Sequence, residues 1–193
     1  NDWPHRIEIV EHSHAALAHA YEAGASRLPF AVLRGYVGTD FAAVNPEIRS
    51  VTCPFTGEEL AAVPAINPDI TFIHALKADR AGNVLIEGIT GVQKEAVLAA
   101  GKAVVTVEET VDSLDPHPNA LVLPHWVVTA IAEVPGGAHP SYAHGYYPRD
   151  NAAYKAWDAI AADRTRFLDW MKTHVIDVDA HVFAARVAKL TDG

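Results

Sequence analysis

Residues 51–91 read VTCPFTGEELAAVPAINPDITFIHALKADRAGNVLIEGITG, and this stretch decides the fold. Ile70, Thr71, Phe72 and Ile73 form a short apolar, β-branched run behind Asn67, Pro68 and Asp69. A run of that length and composition suits a strand buried on both faces of a parallel sheet. His74, Lys77, Asp79 and Arg80 follow as a polar cluster at the expected strand exit. Gly82 and Asn83 then mark a turn, because both residue types adopt positive φ at low cost. Val84, Leu85 and Ile86 resume an extended run. Open α/β sheets bind ligands beyond the carboxyl ends of their strands, so His74 and Asp79 become functional candidates.

Outward from this centre the pattern repeats. Phe30–Leu33 reads as a second buried strand, residues 103–107 as a third, and residues 93–100 as a helix closed by Gly101. The predicted class is α/β: a three-layer α/β/α sandwich on a mainly parallel sheet. Residues 6–10 (RIEIV) alternate like a strand and lead through Glu11, His12, Ser13 and His14 into an alanine-rich helix capped by Ser13. Helix amino termini attract anions, so this EHSH turn could face an acyl or thioester group; the plainer reading is a set of capping and solvated side chains. The loop after Phe30–Leu33 carries Arg34, Gly35, Gly38 and Asp40. The guanidinium fork of Arg34 suits a carboxylate or phosphate, or else an ion pair with Asp40 or another acid. Glu58 and Glu59 are adjacent and point different ways, which favours a solvated loop over a catalytic pair.

Bulk properties narrow the function. The 193 residues suffice for one α/β domain with a sizeable core, and half are hydrophobic. A net charge of −9 without a Lys/Arg cluster disfavours nucleic acid as a partner. No apolar run has the length of a membrane span, and no signal peptide is visible, so no membrane partner and a cytoplasmic setting are expected. The single cysteine, Cys53, reads as a small buried hydrophobe in a reducing compartment. The close spacing of His12 and His14 does not place two ligands on one helix face, so no metal site is predicted. Residues 135–150, rich in Gly, Pro, His and Tyr, read as a surface arm or interface loop. Residues 151–193 read as the helical carboxyl-terminal part of the same domain, with Tyr154, Trp157, Phe167 and Met171 on packing faces.

Several strings together carry a family likeness. His74 and Ala75, Ala78 and Asp79, Gly82 and Asn83, and the GITG string at 88–91 occur in order. Leu28, Pro29 and Phe30, then Arg34 and Gly35, then Gly38, Thr39 and Asp40 precede them. From about Glu8 to about Asn151 the chain resembles the alpha (A) subunit of family I coenzyme A transferases, of the glutaconate CoA-transferase type. The resemblance implies residues 1–193 as an alpha-subunit domain lacking its amino-terminal portion, since that subunit has further strands and helices before the Ile7 region. It implies coenzyme A as a substrate with no permanently bound cofactor. It also implies a beta-subunit partner that supplies the catalytic glutamate, with acyl-CoA and a small carboxylic acid as ligands. Under this resemblance Glu108 and Glu109 are architecture rather than catalytic groups. Glu11, Ser13, His14, Arg34, Asp40, His74 and Asp79 are the substrate-binding candidates. Alternatives on the same fold are a CoA-thioester hydrolase or ring-opening subunit, and a non-catalytic subunit binding acyl-CoA or a sugar phosphate.

Overall fold

The computed structural model describes residues 8–179, 182–183 and 185. Its elements in chain order are α1 (His14–Ala25), β1 (Phe30–Leu33), α2 (Phe41–Val44), β2 (Arg49–Thr52), β3 (Glu59–Pro64), β4 (Ile70–Asp79), β5 (Val84–Ile86), α3 (Gln93–Ala99), β6 (Lys102–Val111), β7 (Leu121–Leu123), β8 (Ala130–Glu133), α4 (Asn151–Ala161) and α5 (Arg164–Met171). A one-turn 3-10 helix, His125–Val127, precedes β8, and a π-helical turn, Lys172–Ile176, follows α5.

The main sheet runs β7-β5-β4-β6-β8. Its centre is the parallel pair β4 and β6, in register from Ile70 opposite Lys102 to Asp79 opposite Val111. β8 adds in parallel to β6, whereas β5 and β7 pair antiparallel on the other side. The sheet is therefore mixed, with its longest ladder parallel, and the α/β expectation holds. Alternation along β4 sends Ile73 and Ala75 toward α3, where they join Val97, Val105 and Val107 in one core cluster. The other face carries His74 and Leu76, and Leu76 packs with Ala143 and Tyr147 of the 135–150 arm.

Four expectations need correction. First, β4 does not end at Ile73. Its ladder with an equally long β6 continues to Asp79, so His74, Lys77 and Asp79 lie inside the strand. Second, β1 is not a strand of the main sheet. It pairs antiparallel with β3 in a separate three-stranded sheet, β1-β3-β2, and Phe30 and Val32 are exposed. A four-residue apolar run cannot by itself distinguish a buried parallel strand from an edge strand over a helix, and here Ala31 and Leu33 pack with Ala16 and Ala20 of α1. Third, residues 8–10 form no strand, and the rest of the 6–10 run lies outside the described residues. Fourth, α4 and α5 bury no side chain. Their aromatic face is satisfied locally: Trp157 meets Phe167 and Trp170 edge-on, with ring centroids 6.2 and 4.9 Å apart. Most of the predicted helix beyond residue 179 lies outside the described residues.

Candidate functional site

Two polar assemblies gather the candidate residues. The first joins the EHSH turn to the loop after β1. Ser13 caps α1 as expected, its Oγ accepting from the Ala16 N–H at 3.2 Å. The Ser13 N–H donates to the Tyr36 hydroxyl at 2.6 Å, so the cap is tied to the loop that carries Arg34 and Asp40. Asn45, buried, donates from Nδ2 to the Glu11 carbonyl at 2.8 Å and lies 3.3 Å from His12 Nε2. His12 Nε2 also lies 3.7 Å from Glu47, while its buried Nδ1 has no partner among the described residues. The side chains of Glu11, His14 and Asp40 are exposed around this joint. Arg34 is exposed as well and holds Glu58 in a two-pronged ion pair, with 2.7 and 2.8 Å contacts. Its acid is therefore Glu58, across the β2–β3 hairpin, and not Asp40. That contact holds the Glu58 carboxyl below its ordinary range and raises the Arg34 pKa further. Cys53, at the base of the same hairpin, is partly exposed rather than buried, and hydrogen bonding from Thr56 and from the Phe55 and Thr56 backbone lowers its thiol pKa.

The second assembly sits on the arm-covered face of the main sheet. His74 Nε2 donates to Glu108 Oε1 at 2.6 Å, and His74 Nδ1 meets Thr106 Oγ1 at 2.8 Å. The same Glu108 oxygen accepts the Tyr147 hydroxyl at 2.6 Å, and Glu108 Oε2 accepts the Gly136 N–H at 2.7 Å. The Glu108 side chain is only 3% exposed, so a buried carboxylate is matched by three donors. Burial, with the Glu108 contact second, pushes the Tyr147 pKa well above its usual value. Next to it on β6, Glu109 pairs with Lys77 at 2.6 Å, which lowers its pKa. Tyr146 lies beside Glu109. Its buried hydroxyl makes no hydrogen bond of ordinary geometry, and burial followed by the repulsion of Glu109 raises its pKa. A third arm tyrosine, Tyr142, accepts the Ile89 N–H at 3.3 Å and thus reaches the GITG loop.

Asp79 is engaged elsewhere. Its carboxylate accepts the Asn83 N–H and Nδ2, both at 2.9 Å, and these bonds lower its pKa and close the β4–β5 turn. The structure thus brings Ser13 to the Arg34 loop through Tyr36, joins His74 to Glu108, and assigns Asp79 to a turn. Among the described residues no hydrogen bond or ion pair links the two assemblies. Sequence reading sets Glu108 aside as architecture and passes over Tyr147. The signal for pairing Glu108 with His74 lies in strand register: once His74 is set opposite Thr106, the residue two further along β6 shares its face. Tyr147 comes from an irregular arm, and no periodicity could place it. Among the described residues no group of three or more His, Cys, Asp or Glu side chains is arranged to hold a metal ion.

Comparison with known proteins gives a consistent set of likenesses. A family model described as coenzyme A transferase matches residues 5–134. The chain is 58% identical over 188 residues to the A subunit of 3-oxoadipate CoA-transferase from Pseudomonas knackmussii, covering 97% of this chain and 67% of that protein. It is 30% identical over 192 residues to the cholesterol ring-cleaving hydrolase IpdA subunit of Mycobacterium tuberculosis, covering 93% of this chain and 65% of that one. The crystal structure of glutaconate coenzyme A-transferase from Acidaminococcus fermentans superposes with a TM-score of 0.80 at 25% identity, covering 91% of this chain and 62% of that chain. The chain thus spans about two thirds of the length of these relatives.

Proposed function

Because the chain belongs to the coenzyme A transferase family, we propose that it serves as the alpha-type half of a two-subunit enzyme that moves CoA from an acyl-CoA to a carboxylic acid. The observation that carries this reading is the 58% identity, sustained over 97% of the chain, to a protein named as the A subunit of 3-oxoadipate CoA-transferase. The same likeness favours a dicarboxylic oxo acid such as 3-oxoadipate as the acid substrate. Coenzyme A enters as a substrate rather than as a resident cofactor.

In this reading the thioester carbonyl of the donor is attacked by a glutamate of the second subunit. The CoA thiolate leaves and an acyl-glutamyl anhydride forms. The thiolate then attacks the glutamyl carbonyl, giving a glutamyl-CoA thioester and releasing the donor acid. The acceptor carboxylate reverses the sequence. Splitting one exchange into anhydride and thioester steps lowers each barrier. Each attack develops negative charge on oxygen, which oriented N–H donors and cations stabilise. This chain contributes recognition. Ser13, Glu11 and His14 surround the amino terminus of α1, where helix N–H groups favour an acid. Arg34 is solvent-facing and exchangeable between Glu58 and a substrate carboxylate, with Asp40 on the same loop. The His74–Glu108–Tyr147 set holds the arm that borders the sheet.

The hydrolase relatives keep a ring-opening reaction as a second reading, at about half the identity of the transferase relative. Co-expression with a beta-type subunit, followed by assay against acyl-CoA donors with 3-oxoadipate and other carboxylates, tests both. Acid-dependent appearance of a new acyl-CoA supports transfer. Release of free CoA without an acceptor acid, or gain of one water by a cyclic acyl-CoA that keeps its CoA, overturns it.

A further inference from the structure

We propose that the cleft between the carboxyl end of α1 and the first residues of β6 binds an aromatic anion, a flat ring system carrying a phosphate or carboxylate. The cleft has a volume of about 1020 Å³, and its wall includes Arg27, Asn67, Asp69, Lys102 and Trp126. It lies at the amino ends of β4 and β6, so it is at the opposite end of the sheet from Asp79 and Val111.

The backbone at Arg27 is the first observation. Its φ is +56°, the single non-glycine residue with positive φ among those described. It directly follows the Ser26 cap of α1, and the chain closes there with the Leu28 N–H on the Ala23 carbonyl at 2.8 Å and the Arg27 N–H on the Gly24 carbonyl at 3.0 Å. Glycine is the usual occupant of this left-handed position because a Cβ is strained there. A cation near a helix carboxyl end is favourable in its own right. It could however come from the last turn of α1, which has no basic residue, without the strain. Strain retained at a cleft wall points to a use for the side chain.

Charge is the second observation. Arg34, Lys77, Arg80, Lys94 and Lys172 are all held by carboxylates. Arg27 and Lys102 have no ion-pair partner among the described residues, although the chain carries a net charge of −9. Asp69 shares the wall, so these three side chains sum to one positive charge. The third observation is Trp126. It is 72% exposed, yet it is not loosely held. It sits in the one-turn helix His125–Val127, whose first N–H donates to Asn83 Oδ1 at 3.0 Å. A large apolar ring presented on a pinned turn, lining the same cleft as two cations without an ion-pair partner among the described residues, matches a ligand that stacks and carries an anion.

Tryptophan fluorescence of the full chain reads the site directly, with AMP, benzoate and inorganic phosphate as probes. AMP or benzoate should quench saturably, and Trp126→Phe should abolish the response. Saturation by AMP alone identifies a nucleotide-type ligand, and saturation by benzoate alone an aromatic carboxylate. Arg27→Gly is the sharpest variant. It relieves the backbone strain, so it should raise the melting temperature while weakening the probe roughly tenfold or more, as loss of a charge-assisted contact does. Lys102→Met should weaken binding similarly. The proposal fails if neither aromatic probe saturates at dissociation constants of roughly 1 mM or below. It fails equally if Arg27→Gly leaves binding unchanged, whichever way the melting temperature moves, and a lowered melting temperature then marks Arg27 as a structural cation.

Discussion

Glu108 receives hydrogen bonds from His74, Tyr147 and Gly136 in a nearly water-free setting. Removing the carboxylate strands three donors at once. Glu108→Ala should therefore cost about 3–5 kcal/mol, in line with deleting one partner of a buried charged set. Glu108→Gln keeps the volume but replaces an acceptor oxygen by NH2, and should cost roughly 1–3 kcal/mol. Urea unfolding of the two variants checks both figures, and equal stability to the parent would show the network to be slack. Arg34 makes a contrasting case. Its ion pair with Glu58 is exposed, and exposed pairs add little to stability. Arg34→Ala should leave the melting temperature nearly unchanged. In the assembled enzyme it should raise the KM for the acid about 10- to 100-fold, the range expected when a uniform charge-assisted contact is lost. Thermal melts and steady-state kinetics on one preparation separate these effects. A lower melting temperature with unchanged KM would make the Glu58 pair the whole role of Arg34.

The 135–150 arm shows how far an irregular element can be fixed by a few contacts. Tyr147 anchors it to β6, Tyr142 to the GITG loop, and His139 meets Asp150 at 3.1 Å where α4 begins. Gly137 passes so close to the sheet that a Cβ there would lie 2.6 Å from His74 Nδ1. Gly137→Ala must push His74 or the arm aside, so proteolysis within 135–150 should accelerate while cleavage near β6 does not. Unchanged proteolysis would mean that the contact relaxes at no cost. The legibility of the sequence follows the same division between regular and irregular elements. The presence of β4, β5, α3 and β6 is readable because their apolar runs match their periods and Gly82 and Gly101 punctuate them, but the polar second halves of β4 and β6 hide how far these strands extend. The Ser13 cap is readable from a single hydroxyl before an alanine run. The assignment of β1 fails because four apolar residues carry no information on which sheet they join. The arm's tyrosines are invisible because their partners lie 39 and 53 residues away in the chain.

At the scale of the whole molecule, pH acts on both flanks. Asp79, Glu109 and Asp150 have carboxyls held below their ordinary range, by Asn83, by Lys77, and by the Ala153 N–H with His139. The unfolded chain therefore binds protons that the fold refuses, and stability present above about pH 4 is lost as pH falls through the depressed values. Tyr146 and Tyr147 are shifted the other way. Their contribution is complete below about pH 10 and fades as pH rises through the raised values, because the unfolded tyrosines ionise first. Unfolding free energies from pH 3 to 11 should trace a dome. The Tyr146→Phe, Tyr147→Phe double variant should be less stable at pH 8 but flatter on the alkaline side; an alkaline slope identical to the parent's would place the loss elsewhere. Part of the apolar surface of α4 and α5, including Trp157 and Leu168, is exposed together with Ile176 of the following turn.

The order of strands in the main sheet also governs how quickly the molecule can form. β4 and β5 are joined by a four-residue turn, whereas β4 meets its parallel neighbour β6 only across a 32-residue offset. Short loops close on far faster timescales than long-range parallel pairings. The Asp79–Asn83 turn is thus placed to form before β6 arrives, and β8 can add only after β6 supplies an edge. Stopped-flow refolding of Asn83→Ala should show slower folding with little change in unfolding. Ile131→Val in β8 should mainly speed unfolding. The reverse pattern would mean that the far edge of the sheet nucleates first.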